Sequence, residues 1–472
     1  MDKQKRIRSI VIMAFVTVFL DMMNYALIVP ILPFLVKELN STSMQEGILF
    51  SSYSIMQLIS LLLMGPLSDR YGRKPFLLLS LFGSCFGSLF QGLSRDMNTL
   101  IIWRSFTGLF AGSLILVQAV IADVIPADKR NVYLARLEGC LSVSFIVGPA
   151  IGGVLGQISY QFPMYVAGVV SGIAMIAAFI FLKESNPLIV DEEGNPRKKK
   201  LEQKEKQTKQ KRTRPHVNLL MVMCFVSEFC IRWTVNAFDS RYGIYVTDKF
   251  NASSIAFSTL IVLQSIWTAL QQTFIYPWLV STVNVPIPWM GIIGYLIVFI
   301  SYFGMVLTKT MVPSMIFSTI LWVGYSLVSP SSVSIISTTN SLDVQGTVLS
   351  WNNFCYQGSL IICPLVLSAI YDKNPDGMYY FSSIFAAIGC LIMCVLATRK
   401  DAKILGKKSL LEAGQLPVKQ VELEEKTVGE NTEASIESSK DLGTTSDKSN
   451  VIGVQINTEQ VAPVTPVAVT NT

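Results

Sequence analysis

Twelve apolar runs, each long enough to cross a lipid bilayer, constrain this chain more than any other feature of its sequence. A spanning helix needs about 20 mostly apolar residues. The runs cover residues 10–36, 47–67, 75–93, 99–125, 134–158, 162–182, 217–238, 254–276, 287–307, 311–336, 346–370 and 378–398. A helix also satisfies its own backbone hydrogen bonds inside a bilayer. We therefore predict an all-α membrane protein with twelve transmembrane helices.

Polar stretches divide these runs into two sets of six. Only 15% of the 472 residues are charged, whereas a soluble domain averages about 25%. The predicted organisation is a cytosolic N-terminus (1–9), a six-helix bundle (10–182), a basic cytosolic linker (183–216), a second six-helix bundle (217–398) and a disordered cytosolic tail (399–472).

Lysine and arginine placement predicts the orientation in the membrane. Residues 197–214 contain ten Lys or Arg and two Glu, and further basic residues precede the first run and follow the second and fourth. These loops and both termini should be cytosolic. The opposite loops carry scattered single charges, at Lys37, Arg95, Arg241, Lys249, Lys309 and Lys373. We expect an integral multi-pass protein of the plasma membrane or an endolysosomal or vacuolar membrane.

Several protein classes are disfavoured by what the sequence lacks. It has one histidine, His216, and no GxxxxGK[ST] sequence, so neither a histidine metal site nor ATP binding is expected. We expect no cofactor, no metal and no enzymatic activity. The basic linker next to a membrane is more typical of a topology determinant than of a nucleic-acid site. The expected partners are a small-molecule solute, protons and the bilayer, with the chain as a monomer.

The segment GPLSDRYGRK, residues 65–74, joins the second and third runs. It resembles the GxLaDrxGRkxxl sequence of the major facilitator superfamily at the same position. The resemblance implies a conformational latch in this turn, together with the segment ADVIPADKR at residues 122–130. The candidate latch residues are Gly65, Asp69, Arg70, Gly72, Arg73, Asp123 and Arg130.

Three further segments narrow the resemblance to the twelve-helix drug:proton antiporter branch, which includes the tetracycline efflux proteins. They are LDMMNYALIVPILP (20–33), RSFTG (104–108) and SFIVGPAIGG (144–153). Asn24 and Ser144 stand where these patterns have glycine. The antiporter-type residues of the fifth helix are Gly148, Pro149, Gly152 and Gly153. The resemblance covers residues 9–398 and implies the major facilitator fold, with two pseudo-symmetric bundles.

Charges inside the predicted helices mark the candidate substrate- or proton-binding site. A charge at the bilayer centre costs about 2.5–3.5 kcal/mol, so it usually faces a cavity or a partner. Asp21 and Glu228 lie at matched depth in the first helices of the two halves. The buried cations are Arg104 and Arg232, and Glu228 and Arg232 are close enough along a helix to form a mutual ion pair. Polar residues of the eleventh helix, Asn352 and Gln357, are further candidates.

The resulting hypothesis is a secondary active transporter that moves a small organic solute by alternating access, with proton-coupled antiport as the expected mode. Two alternatives stay open. One is a nutrient facilitator or proton symporter for a sugar, nucleoside or organic anion. The other is a transporter-like receptor or scaffold that binds a ligand without moving it.

Overall fold

The computed structural model describes residues 3–186, 189, 219–283, 285–339 and 342–398. Twelve helical spans lie in these residues, which confirms the predicted fold class. They are α1 (Lys3–Ile28), α2 (Ser43–Tyr71), α3 (Arg73–Leu93), α4 (Met97–Val124), α5 (Ala127–Leu155), α6 (Phe162–Phe181), α7 (Leu219–Phe250), α8 (Ser254–Val280), α9 (Ile287–Leu307), α10 (Met311–Thr339), α11 (Leu342–Tyr371) and α12 (Gly377–Thr398). The tail and nearly all of the linker lie outside the described residues.

The first apolar run is not one helix. Helix α1 ends at Ile28, and a short helix, Leu32–Glu38, follows it. Pro30 lies in the break, and Pro33 lies in the first turn of the short helix. Proline has no backbone N–H and restricts the residue before it, so it ends a helix or begins one.

Helix α4 also breaks, into Met97–Leu109 and Ser113–Val124. The hydroxyl of Ser80 on α3 donates a 2.6 Å hydrogen bond to the carbonyl oxygen of Phe110 in the break. This bond supplies a partner that the interrupted helix no longer provides. The break starts a new helix at Ser113, beside α1.

The helices pack as two bundles of the same design. In the first bundle α1 packs against α5 and α6, and α3 packs against α6. In the second bundle α7 packs against α11 and α12, and α9 packs against α12. The connection after the first helix of each half also repeats. Asn40 and Asn251 have φ of 50° and 52°, and Thr42 and Ser253 then cap the next helix.

The bundles meet along α2 with α11 and along α5 with α8. We call the end of the molecule that carries Gly72 and the start of α1 the turn end, and the opposite end the paired end. At the paired end, Arg241 on α7 forms a 2.5 Å ion pair with Glu46 on α2. The hydroxyl of Ser51 on α2 donates to the carbonyl of Ile361 on α11 at 2.7 Å. Hydrogen bonds and an ion pair therefore join the bundles at the paired end.

Candidate functional site

Asp21 is buried in α1 with one oxygen paired and one unpaired. The Ser113 hydroxyl, at the start of the second part of α4, donates a hydrogen bond to Oδ2. Oδ1 has no hydrogen-bond partner and no solvent contact. Among the ion pairs of residues 3–186 and 219–398 that the structure describes, none includes Asp21. The carboxyl group is thus desolvated without a cation against it.

Arg104 on α4 is held by aromatic rings instead of a carboxylate. Its guanidinium carbon lies 4.5 Å from the centre of the Tyr53 ring and 5.5 Å from that of Tyr25. Within the described chain it forms no ion pair with Asp21. Cation–π contacts compensate part of the cost of burying a guanidinium.

Glu228 and Arg232 on α7 form the ion pair that their spacing allows. Arg232 Nε donates to Glu228 Oε1 at 2.6 Å, and Glu228 is fully buried. The same guanidinium donates to the Tyr325 hydroxyl at 2.5 Å and lies 4.7 Å from the centre of the Tyr356 ring. Glu228 therefore has an oppositely charged partner on its own helix, whereas Asp21 has none among the described residues.

We define a central cleft between the bundles by four residues, with Tyr25 and Tyr53 in the first bundle and Arg232 and Tyr356 in the second. All four side chains are partly exposed. The two walls belong to different bundles, which approach each other at the paired end, where a Cβ on Gly243 of α7 would meet Pro33 just after α1. Each bundle thus presents an arginine between two tyrosines, a likeness that the sequence spacing did not indicate.

The two polar candidates on α11, Asn352 and Gln357, are each 5% exposed. In each, the side-chain amide oxygen lies buried without a hydrogen-bond partner. Since a buried unpaired acceptor is costly, both oxygens are available to a ligand or to water.

Helix α7 extends well beyond the predicted run, which ended at residue 238. The expectation that Arg241 and Lys249 lie in a loop is wrong, since Lys249 is in the last turn of α7 and Arg241 lies earlier in the same helix. Arg241 is a fully buried residue of α7, and Glu46 and the Ser43 carbonyl accept its hydrogen bonds at 2.5 and 2.7 Å. A charged residue can lie inside a membrane-spanning helix when a buried residue of opposite charge pairs with it. Arg241 therefore does not have to end the helix. The extension also brings Asp239 into the helix.

The turn between α2 and α3 is built around Gly72 and Arg73. Gly72 has φ of 111° and ψ of 153°, a region open almost solely to glycine. Arg73 pairs with Asp69 at 2.5 Å and with Asp123 on α4 at 2.9 Å. The ends of α2, α3 and α4 are thus joined through one guanidinium.

The remaining latch candidates lie around this pair without joining it. Arg70 is exposed, with its guanidinium 5.5 Å from the centre of the Tyr71 ring. Arg130 donates to the carbonyl of Ala122 at 2.8 Å. Gly65 has open space where a side chain would lie.

Glu184 binds this turn from outside it, and no sequence pattern indicated this role. The carboxylate of Glu184, just after α6, accepts the backbone N–H groups of Arg73 and Lys74 at 2.9 and 3.0 Å. It also accepts the N–H groups of Ser185 and Asn186 at 3.0 and 2.9 Å. A carboxylate at a helix N-terminus satisfies free donors and opposes the helix dipole.

The glycines of α5 allow close helix packing. A Cβ on Gly148 would meet Ala26, and one on Gly152 would meet the Leu27 backbone, both on α1. A Cβ on Gly153 would instead meet Ser258 on α8, in the other bundle. Pro149 lies within the helix between these contacts.

The two departures from the family patterns also contact neighbouring helices. Ser144 Oγ lies 3.1 Å from the carbonyl oxygen of Phe19 on α1. Asn24 Nδ2 lies within 2.9 Å of Ser88 on α3 and of Ala167 and Ser171 on α6. Both residues replace glycine with an interhelical polar contact.

Known proteins resemble this chain in sequence. The Major Facilitator Superfamily profile matches residues 14–364. The class H tetracycline resistance protein of Pasteurella multocida is 36% identical over 181 residues, which are 38% of this chain and 45% of that protein. The chain therefore spans less than half of that relative. The quinolone resistance protein NorA of Staphylococcus aureus is 21% identical over 381 residues, or 80% of this chain and 94% of NorA.

Solved structures show the same fold at low sequence identity. The peptide transporter POT in complex with sulfate has a TM-score of 0.68 and 14% identity, covering 86% of this chain and 99% of POT. The human organic anion transporter MFSD10 has a TM-score of 0.58 and 17% identity, covering 82% of this chain and 99% of that chain.

Proposed function

This chain belongs to the Major Facilitator Superfamily, and from that membership we propose that it is a secondary active transporter that exchanges a small organic solute for protons. The two bundles would rock about the central cleft, which opens alternately to the two sides of the membrane. The Arg241–Glu46 pair and the Ser51 hydrogen bond close the paired end in this conformation. The basic loops favour a cytosolic turn end, so the conformation would face the cytosol.

The observation that carries the exchange proposal is the unpaired state of Asp21. Desolvation favours the protonated form of a carboxyl group unless a cation or hydrogen bonds offset it. Arg232 offsets it for Glu228, while Asp21 has the serine hydroxyls of Ser113 and Ser84 and no cation among the described residues. Asp21 is therefore the better candidate to bind a proton in one conformation and release it in another.

The test begins with a solute. Purified protein is screened by thermal shift against organic cations, organic anions, sugars and nucleosides, since ligand binding raises apparent stability. The strongest ligand is then added to proteoliposomes that contain a pH indicator. Proton movement opposite to solute movement is expected. Movement in the same direction would make the protein a symporter, and binding without flux would make it a receptor.

Asp21→Asn is expected to reduce solute-driven proton flux to that of empty liposomes, because the amide cannot carry a proton. Membrane insertion and the melting temperature should stay near those of the unaltered protein. Asp96→Asn is the matched control. Asp96 is an exposed cap of α4, and asparagine caps helices equally well. Normal coupled flux in Asp21→Asn would remove Asp21 from the mechanism.

We also propose that the Arg73 pairs form the latch that holds the turn end in one conformation. Asp69→Ala should reduce turnover several-fold while solute affinity changes little, because Asp69 lies at the turn and not in the cleft. Turnover and equilibrium binding are measured on the same preparation. An unchanged turnover number, or an equal loss of affinity, would contradict this role.

A further inference from the structure

Asp239 is an exposed carboxylate in an otherwise buried part of α7. Within residues 233–247, which the structure describes in full, every other residue is buried. This part of α7 is enclosed by neighbouring helices, including α11 and α12. An exposed side chain here must face a space inside the molecule.

The helical register places Asp239 on the wall of the central cleft. It follows Arg232 by seven residues, which is close to two turns, so both side chains lie on nearly the same face about 10 Å apart along the axis. Arg232 contacts Tyr356 across this face. Gly243 follows Asp239 by about one turn on this face, and a Cβ there would meet Pro33 of the first bundle. Asp239 therefore lies between the bundles, on the paired-end side of Arg232.

The charge of Asp239 is not compensated by a protein cation. Within the described chain, no hydrogen bond or ion pair involves its carboxylate. The nearby cations are engaged elsewhere: Arg232 with Glu228, Arg241 with Glu46, and Arg104 with two tyrosine rings. A carboxylate in a partly enclosed space without a partner favours a positively charged ligand.

The surroundings of Asp239 also fit an apolar ligand body. The cleft walls beside it are Tyr25 and Tyr356, whose rings offer aromatic surface and whose hydroxyls offer hydrogen bonds. Quaternary ammonium and related cations are recognised by this combination of negative charge and aromatic surface.

We propose that Asp239 binds the positive charge of an organic cation whose apolar body lies between Tyr25 and Tyr356. The inference extends the proposed solute exchange, since it names the chemical class of the solute and the residue that selects it. Asp21 then carries the proton, and Asp239 holds the solute.

The test uses two probes of the same shape and opposite charge, tetraphenylphosphonium and tetraphenylborate. Equilibrium binding of each is measured to the full-length protein in nanodiscs, without any gradient. The unaltered protein should prefer the phosphonium. Asp239→Asn should weaken phosphonium binding about tenfold or more and leave borate binding equal or tighter, while Asp239→Glu should restore the preference. Asp372→Asn, an exposed carboxylate after α11, is the matched control and should bind like the unaltered protein.

Three results would overturn the inference: an unaltered protein that does not prefer the phosphonium, an Asp239→Asn variant that binds it normally, or an equal loss of both probes in that variant. The last result would indicate a role in folding alone. Because binding is measured without a gradient, the outcome is separate from the flux experiment. Phosphonium binding through Asp239 without proton-coupled flux would retain this site and refute the exchange.

Discussion

Gly72 is a residue whose identity the backbone requires. Its φ of 111° and ψ of 153° are open almost solely to glycine, and a Cβ there would also meet the Glu184 carboxylate. Gly65, seven residues earlier in the same motif, has open space at the corresponding position. The same motif therefore contains one glycine that the turn needs and one that packing does not explain.

Gly72→Ala should lower the free energy of unfolding by about 1–3 kcal/mol, because alanine is strained in this conformation. Gly65→Ala is the control and should leave stability unchanged or raise it, since alanine favours a helix interior. Thermal unfolding followed by tryptophan fluorescence distinguishes the two. Equal melting temperatures would show that the turn adapts.

The motif residues of this turn could be predicted from sequence because they lie within ten positions of one another. The Glu184 cap could not, since it is separated from Arg73 by 111 residues and its partners are backbone groups of any residue type. Likewise the sequence indicated that Asp21 is buried, but only the structure shows that its partners in the described chain are serine hydroxyls, from Ser113 and Ser84, and not a cation.

At the scale of helices, α5 and α1 approach closely because Gly152 has no side chain. A Cβ there would lie 2.5 Å from the carbonyl oxygen of Leu27, so α1 would have to move. Gly139 lies earlier in α5, with open space around the corresponding position. The two glycines belong to one helix and differ only in what faces them.

Gly152→Ala should destabilise the protein by about 1–3 kcal/mol, as expected for overpacking. Gly139→Ala should not. The measurement is the melting temperature of each variant in the same detergent. A Gly152→Ala protein that melts with the unaltered chain would mean that α1 shifts at no cost.

The extent of α7 shows where hydropathy fails as a guide to helix length. The apolar run stops at Asp239, yet the helix continues to Phe250. Residues 242–246 are again apolar or aromatic, a signal that the helix resumes its buried face. Asp239 and Arg241 interrupt the apolar run. Asp239 faces the cleft and Arg241 pairs with a residue of the other bundle, and hydropathy alone predicts neither position.

At the scale of the whole molecule, two ion pairs join the bundles at the paired end, and one is buried while the other is exposed. Arg241 and Glu46 are buried, with side-chain exposures of 0% and 9%. Lys37 and Asp248 pair at 2.9 Å with exposures of 48% and 43%. Breaking a buried pair costs about 3–5 kcal/mol, whereas an exposed pair contributes about 0–1 kcal/mol.

Glu46→Gln should therefore favour opening of the paired end, because Arg241 loses its buried counter-charge. Spin labels at Met44→Cys and Lys373→Cys, in a background with the native cysteines replaced, report the separation of α2 from α11. The distance distribution should shift to longer values. Asp248→Asn is the matched control and should leave it unchanged. A distribution unaffected by Glu46→Gln would show that the pair does not hold the bundles closed.

The four N–H groups gathered by Glu184 fix the point at which the chain leaves the first bundle. The length of chain available to connect the two bundles is therefore counted from Asn186. Because Glu184 is bound to the start of α3, a force on the chain after Asn186 would act on these hydrogen bonds before it reached the end of α6. Shortening the sequence between Asn186 and Leu219 should then slow exchange once the segment is too short to connect the bundles, without unwinding α6.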